Sequence, residues 1–350
     1  MLNAINLAEK GILPDAMVRL GIRRLCAKRL KEYKKLSDTD FKVYLENYVS
    51  DLKKEPIAEY VERANEQHYE VPQEFFSHVL GPRLKYSSCY FESPTDSLAK
   101  AEEASLMMTC ERMGISNGDQ ILELGCGWGS LSLFMAEKYP QSKIVAISNS
   151  HSQRKYIESQ IQVRGLNNLT VITQNAAELT DLDLTYGPFD RVVSVEMFEH
   201  LKNYAQMMSR IASWLKPNGT LFIHIFTHKE YPYPFETEGQ DNWMGKYFFT
   251  GGQMPSQKLL TRFQEHLRLE KTWQWNGKHY GRTAECWLEN MTKNRGPIIK
   301  TLANTYGNSQ GHLWFNRWRI FFMSCAELFS FDSGEEWGVT HYLFRKASAR

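Results

Sequence analysis

Long apolar runs are missing from this sequence, and so is any strong excess of one charge. No stretch of roughly 18 apolar residues occurs, so nothing reads as a membrane span and no integral membrane association is expected. The opening MLNAINLAEKGILPD lacks the basic start and apolar stretch of a secretory leader. Lys and Arg number 42 against 40 Asp and Glu, a formal charge of +2. That balance offers no concentrated basic surface for nucleic acid. Six cysteines (Cys26, Cys89, Cys110, Cys126, Cys286, Cys325) are scattered without a CxxC pair or a Cys/His cluster. This argues against a disulfide scaffold and against structural zinc, and no metal is expected. Repeats and low-complexity tracts are absent as well. These shortages describe a reduced, cytoplasmic protein.

What is present is an ordinary globular composition, 42% apolar and 23% charged, in a 350-residue chain long enough for a large core. Aromatic residues make up 13% and crowd into two regions, from Tyr231 to Phe249 and from Trp314 to Trp337. That much flat apolar surface outside the best strand patterns invites a ligand pocket.

Residues 1–115 read as a helical segment. PDAMVRLGIRRLCAKRLKEYKKL opens on Pro14, a good helix start, and mixes apolar with basic positions. A solvated basic face on a helix packed against the rest of the protein explains it better than a membrane-lying helix. NEQHYEVPQEFFSHVLGPRLKYSSCYFES is punctuated by Pro and Gly and reads as loop-rich. From residue 119 the pattern alternates: strands QILEL, SKIVAIS, LTVIT, FDRVVSVEM and TLFIHIF are separated by helices such as SLSLFMAEKYP, HSQRKYIESQIQVRGL and YAQMMSRIASWL. Strands alternating with helices of this length predict an α/β fold with a doubly wound, largely parallel sheet. Within residues 116–350, the stretch 227–265 reads as an insertion. A strand LEKTWQWNG, helices over 285–336 and a last strand VTHYLFRK follow it.

LELGCGWG sets Gly125, Gly127 and Gly129 directly after the first strand. Glycines there allow a tight turn and close approach of backbone to a ligand at a helix N-terminus. A dinucleotide site would show GxGxxG with an acid about 20 residues on, but the next strand ends in Ser148-Asn149-Ser150. A glycine turn used only for strand–helix packing would explain the loop but not the ordered segments around it. Together these segments resemble the class I S-adenosylmethionine (SAM)-dependent methyltransferases, a Rossmann-like fold. The resemblance implies SAM as cofactor and S-adenosylhomocysteine as product, with the three glycines forming the cofactor loop and Glu123 beside it. It also implies Asn149 and Asn175 at the second and third strand ends, where many relatives carry acids. Asparagine still hydrogen-bonds there but brings no charge.

HYEVPQEFF, LKYSSCYF, ISNSHSQ, EMFEHLKNY, FNRWRIFFMSCAELF and SGEEW occur in that order over nearly the whole chain. They resemble the coclaurine N-methyltransferase family, relatives of the cyclopropane fatty-acid synthases. The resemblance implies that Tyr86, Ser87 and Gln153 contact the cofactor and that Tyr69 covers the site. It implies a substrate pocket lined by Trp318 and Phe321, with Glu327 and Trp337 nearby. The helical N-terminal segment and the insertions become walls of the active site. Each of these aromatics taken singly would read as core.

Cyclopropane synthases typically read YSC, with a cysteine that helps to hold a bicarbonate base. Here Tyr86-Ser87-Ser88 displaces Cys89 by one position. They carry glycine where this chain has Glu196. They also carry a histidine at the position that matches Ile225, although His224 adjoins it. The extra acid suits an amine. The expected reaction is therefore N-methylation of a small aromatic amine, benzylisoquinoline-like or phenylalkylamine-like. A cyclopropane synthase-like lipid methyltransferase is the alternative, and a SAM-binding protein without catalysis a third reading. Oligomeric state stays open between monomer and homodimer.

SVEMFEHLKNY follows the fourth strand and puts Glu196, Glu199 and His200 within five positions. A helical turn would give them a common face. Acids at a helix start would gain under ~1 kcal/mol from the dipole, which explains neither His200 nor the position. An alkylammonium titrates near ~10.4, so the nucleophile must first lose a proton, and a neutral imidazole can accept it. The expectation is that Glu199 and His200 form the catalytic pair while Glu196 supports the cationic amine.

Overall fold

Strand β1 (Gln120–Leu124) is the middle of the first half of the sheet, and the chain builds outward from it in both directions. The structure, a computed structural model, describes residues 4–59, 71–179, 186–239 and 241–347. On one side of β1 lie β2 (Lys143–Ser148) and β3 (Leu169–Thr173). On the other lie β4 (Phe189–Val195) and β5 (Leu215–His228), and these five strands are parallel. Beyond β5 come β9 (Trp337–Lys346) and then β8 (Leu267–Trp275), both pairing antiparallel, for an order β3-β2-β1-β4-β5-β9-β8. The fold is thus the class I methyltransferase α/β architecture that the strand–helix alternation predicts. β1 and β4 diverge in connectivity, so the crevice outside their carboxyl ends is the topological switch point where such sheets bind ligands.

The strands read as continuous apolar runs because helices cover both faces. One face packs Leu106 and Cys110 of helix Leu98–Met113 with Phe134 and Ile157. The other packs Met207, Ile211 and Trp214 of helix Tyr204–Trp214 with Phe198 and Phe263. Side-chain caps start the helices where the sequence places serine: Ser97 accepts from the Lys100 amide and Ser150 from the Gln153 amide.

A third cluster roofs the carboxyl edge. It joins helices Lys278–Lys293 and Gly311–Ser330 to Phe75 and Phe76 of helix Gln73–Val79, which lies inside the stretch expected to be loop. Helix Asp15–Tyr33 lies on the same roof, buried at Cys26 and Leu30, with much of its basic face exposed as expected. Residues 227–265 contribute a small ribbon, β6 (Tyr233–Pro234) with β7 (Gln253–Met254), and the short helix Trp243–Tyr247. Among the described residues no helix is long and apolar enough to cross a membrane, and no His/Cys/Asp/Glu cluster could hold a metal ion.

Candidate active site

A cleft opens at the carboxyl ends of the parallel strands, and its walls come from every part of the chain. Tyr86 and Ser87 enter it from the N-terminal segment, Phe249 from the stretch 227–265, and Trp287 and Phe321 from the two C-terminal helices. One half lies over the glycine loop. Gly127 has φ +52, and a side chain there would meet nothing within 4 Å, so its backbone faces open space a ligand can fill. Gly129 differs: a Cβ would come within 2.7 Å of Ile157, so this glycine serves the packing of the following helix and does not line the cleft.

Glu123 lines the cleft from β1 yet is almost wholly buried. Its carboxylate accepts from Ser132 Oγ and makes no ion pair among the described residues. Burial pushes it up to about 8, against which the Ser132 hydroxyl works. A buried acid without a cation fits a ligand that carries one, and SAM has an ammonium group. Asn149 and Gln153 also line the cleft, and Gln153 Oε1 accepts from Ser148 Oγ at 2.7 Å. Asn175 lines it too, but its side chain is engaged: Oδ1 accepts from the Ala177 amide and Nδ2 donates to Glu178, both at 2.9 Å.

The second half is built on the turn after β4. Glu196 sits at φ 48, an uncommon backbone for a residue with a Cβ, and its N–H donates to the His224 carbonyl at 2.8 Å. The turn therefore aims the side chain sideways along the sheet edge. Glu196 Oε1 accepts from the Ser88 amide at 2.9 Å and from His224 Nε2 at 3.1 Å, and Oε2 accepts from the Tyr280 hydroxyl at 2.6 Å. Lys85 is buried beside it and donates from Nζ to Ser87 Oγ and the Ser88 carbonyl, both at 2.6 Å. Burial raises the Glu196 carboxyl, while Lys85, the Ser88 amide and Tyr280 pull it down.

Glu199 is fully buried and, unlike Glu196 and His200, does not itself line the cleft but lies directly behind its wall. Its Oε1 accepts from the Phe226 amide at 3.0 Å, and its Oε2 has no partner among the described residues. Burial, and then the nearby Glu196 charge, hold it well above the ordinary carboxylate range. His200 lines the cleft with its ring stacked on Phe249, centroids 5.5 Å apart and planes 6° apart.

Several expectations need correction. Glu196, Glu199 and His200 do not share one face of a helical turn, because a short 3-10 helix covers only Phe198–His200 and Glu196 precedes it at positive φ. The strand histidine at the site is His224; Ile225 points into the core. Glu327 is taken up by Arg19 at 2.9 Å and Arg23 at 2.7 Å and does not line the cleft. Trp318 stands one layer behind, against Phe75, Phe248 and Phe321. Trp337 is likewise behind, donating Nε1 to the Tyr233 hydroxyl at 2.9 Å. Tyr69 lies outside the described residues. Tyr280, Lys85, Phe226, Phe249 and Trp287 line the cleft without having been singled out. The signal for His224 was a histidine in the middle of the apolar run TLFIHIF, whereas Tyr280 had none.

A family model of mycolic acid cyclopropane synthetases matches residues 58–336. The (S)-coclaurine N-methyltransferase of Thalictrum flavum subsp. glaucum is 35% identical over 97% of this chain and 94% of its own length. The cyclopropane-fatty-acyl-phospholipid synthase of Escherichia coli is 32% identical, but over 64% of this chain and 55% of its own. A crystal structure of coclaurine N-methyltransferase bound to N-methylheliamine and S-adenosylhomocysteine superposes with a TM-score of 0.93 at 34% identity, covering 97% of this chain and 98% of that one. With a family model matched over most of its length and near full-length similarity to amine methyltransferases, the chain belongs to the mycolic acid cyclopropane synthetase family as a SAM-dependent amine N-methyltransferase of the coclaurine N-methyltransferase kind.

Proposed function

We propose that the substrate is a small aromatic amine of benzylisoquinoline or phenylalkylamine type, and that Glu199 and His200 handle its proton and charge while Glu196 seats it. The observation that carries this reading is the unpartnered Glu199 oxygen, buried beside the triply held Glu196 and next to His200 on the aromatic wall. The resemblance of the chain to an enzyme crystallised with N-methylheliamine supports an aromatic amine.

An alkylammonium brings positive charge into the cleft. Burial and the Glu196 charge favour neutral Glu199 until that charge arrives; a cation seated on Glu196 offsets the repulsion and favours the Glu199 anion behind the wall, with its proton passed out to solvent. His200 then accepts the proton that the ammonium gives up, freeing the nitrogen lone pair. SAM supplies a methyl group on a sulfonium; as the nitrogen–carbon bond forms, the carbon–sulfur bond breaks and its electrons stay on sulfur. Positive charge growing on nitrogen is stabilised by the two carboxylates. Phe226, Phe249 and Phe321 exclude water and offer π faces to the cation. In this reading the segment 1–115 and the insertions 227–265 and 285–336 are the walls that hold the substrate, since Tyr86, Phe249 and Phe321 reach the cleft from them.

The lipid-modifying alternative needs an external bicarbonate. Glu196 fills the donor set of Ser88, His224 and Tyr280 with its own carboxylate, and a second anion there would be repelled. The test is incubation with methyl-labelled SAM and a panel of aromatic amines and unsaturated phospholipids, with methyl groups counted by mass spectrometry. N-methylated aromatic amines and unchanged phospholipid are expected. Labelled phospholipid without amine turnover would overturn the proposal.

A further inference from the structure

Behind Glu196 a row of side chains runs away from the cleft across one face of the sheet. Glu196 Oε1 meets His224 Nε2 at 3.1 Å, His224 Nδ1 meets His341 Nε2 at 2.8 Å, and His341 Nδ1 meets the Arg112 guanidinium at 2.8 Å. His224 on β5 and His341 on β9 are direct cross-strand partners, so strand register alone sets their contact. Both are fully buried, boxed by Trp275 and Phe222, and Arg112 lies over Trp273 and Trp275.

The identity of the last group decides every proton in the row. A guanidinium has only donors, so His341 Nδ1 must be a bare acceptor. Neutral His341 therefore carries its proton on Nε2 and donates to His224 Nδ1. His224, accepting there, carries its own proton on Nε2 and donates to Glu196. Burial and the nearby Arg112 and Lys85 charges keep both imidazoles neutral, which removes the doubly protonated alternatives.

The reverse tautomer of His224 would set a bare Nε2 against Glu196 Oε1 at 3.1 Å, two acceptors face to face. Only a proton on Glu196 would relieve that contact, and a neutral Glu196 cannot stabilise a cation. The tautomer of His224 and the charge of Glu196 are therefore one variable. We propose that Arg112 and His341 are positioning residues that lock His224 as a donor and so hold Glu196 as a charged acceptor in the cleft. This rests on the amine-seating role of Glu196 given above.

Nitrogen-15 NMR of the full-length protein, with histidines assigned through His224→Gln and His341→Gln, reads the tautomers directly. Both imidazoles are expected to be protonated at Nε2. Arg112→Met keeps an apolar stem over the tryptophans and removes the donor. It should mix the tautomers and lower kcat on the order of tenfold, the factor of one pKa unit of charge stabilisation, with SAM affinity unchanged. Arg112→Lys, which again only donates, should restore both readouts. His224 protonated at Nδ1 in the unmodified protein, or Arg112→Met with unchanged tautomers and kcat, would overturn the lock. Glu196→Gln separates the two ideas. Loss of turnover there beside an inert Arg112→Met overturns the lock alone, whereas full turnover in Glu196→Gln overturns the role on which it rests.

Discussion

The Tyr280 hydroxyl donates to Glu196 Oε2 at 2.6 Å across 84 residues of sequence, tying the roof helix Lys278–Lys293 to the sheet edge. It is one of the contacts that pull the Glu196 carboxyl down against burial. Tyr280→Phe keeps the ring stacked on Phe329, 4.2 Å away, and deletes only the donor. A buried acceptor left unsatisfied costs about 1–3 kcal/mol, so turnover near neutral pH should fall about tenfold or more. Since the lost donor favoured the charged form, the Glu196 carboxyl rises and the acidic limb of the pH–rate profile moves to higher pH. Activity should recover partly in alkaline buffer. A uniform loss at every pH would mean that the hydroxyl serves another purpose.

Glu199→Gln tests the neighbouring acid. Glutamine still offers an oxygen to the Phe226 amide, so the loop keeps its anchor. What disappears is the ability to become an anion when the amine arrives. Turnover should drop roughly a hundredfold, the lower range of general acid–base effects, while SAM affinity by calorimetry stays within about twofold. The native protein, but not the variant, should release a proton to buffer when the amine binds.

The parts of this site that were legible in the sequence are those that lie close together along it. The glycine loop follows its strand within a few residues, and Glu196, Glu199 and His200 share one motif. The alternation of strands and helices fixed the layer order for the same local reason. What escaped was brought together by pairing over long separations. His341 reaches His224 only because β9 runs antiparallel beside β5, and Tyr280 reaches Glu196 only because a roof helix crosses the sheet edge. Aromatic density draws attention to helix Gly311–Ser330, but density does not say which side faces inward. Phe321 reaches the cleft while Trp318, three residues earlier, turns to Phe75 and Phe248. The shared helical face inferred for the acid cluster failed because a positive φ at Glu196 replaces the helical turn.

Glu327 provides a contrast in role. Its carboxylate bridges Arg19 and Arg23 and pins helix Asp15–Tyr33 to the roof. Glu327→Gln should lower stability in chemical denaturation by about 1 kcal/mol, the upper range for ion pairs whose arginine partners are partly exposed. The KM for the amine should not change, since the residue does not line the cleft. A raised KM with unaltered stability would return it to the substrate site.

Glu123 gives the apo protein a pH-dependent weakness that the cofactor should cure. Its carboxyl is raised in the folded state to about 8 from an ordinary value of 4.5, chiefly by burial. Between those two values the folded state holds a proton that the unfolded state has lost, so stability falls as pH rises through this window. It is fully present below the unfolded value and gone above the folded one. Melting of the apo protein, followed from about pH 6 to about pH 8, should therefore show a decline attributable to this residue. Glu123→Gln keeps the Ser132 hydroxyl contact and should flatten that slope. Saturating S-adenosylhomocysteine carries an ammonium that can pair with the carboxylate, so it should raise the melting temperature more at the alkaline end than at the acidic end. An equal ligand-induced rise at both ends, in the native protein and in Glu123→Gln alike, would remove Glu123 from the cofactor site.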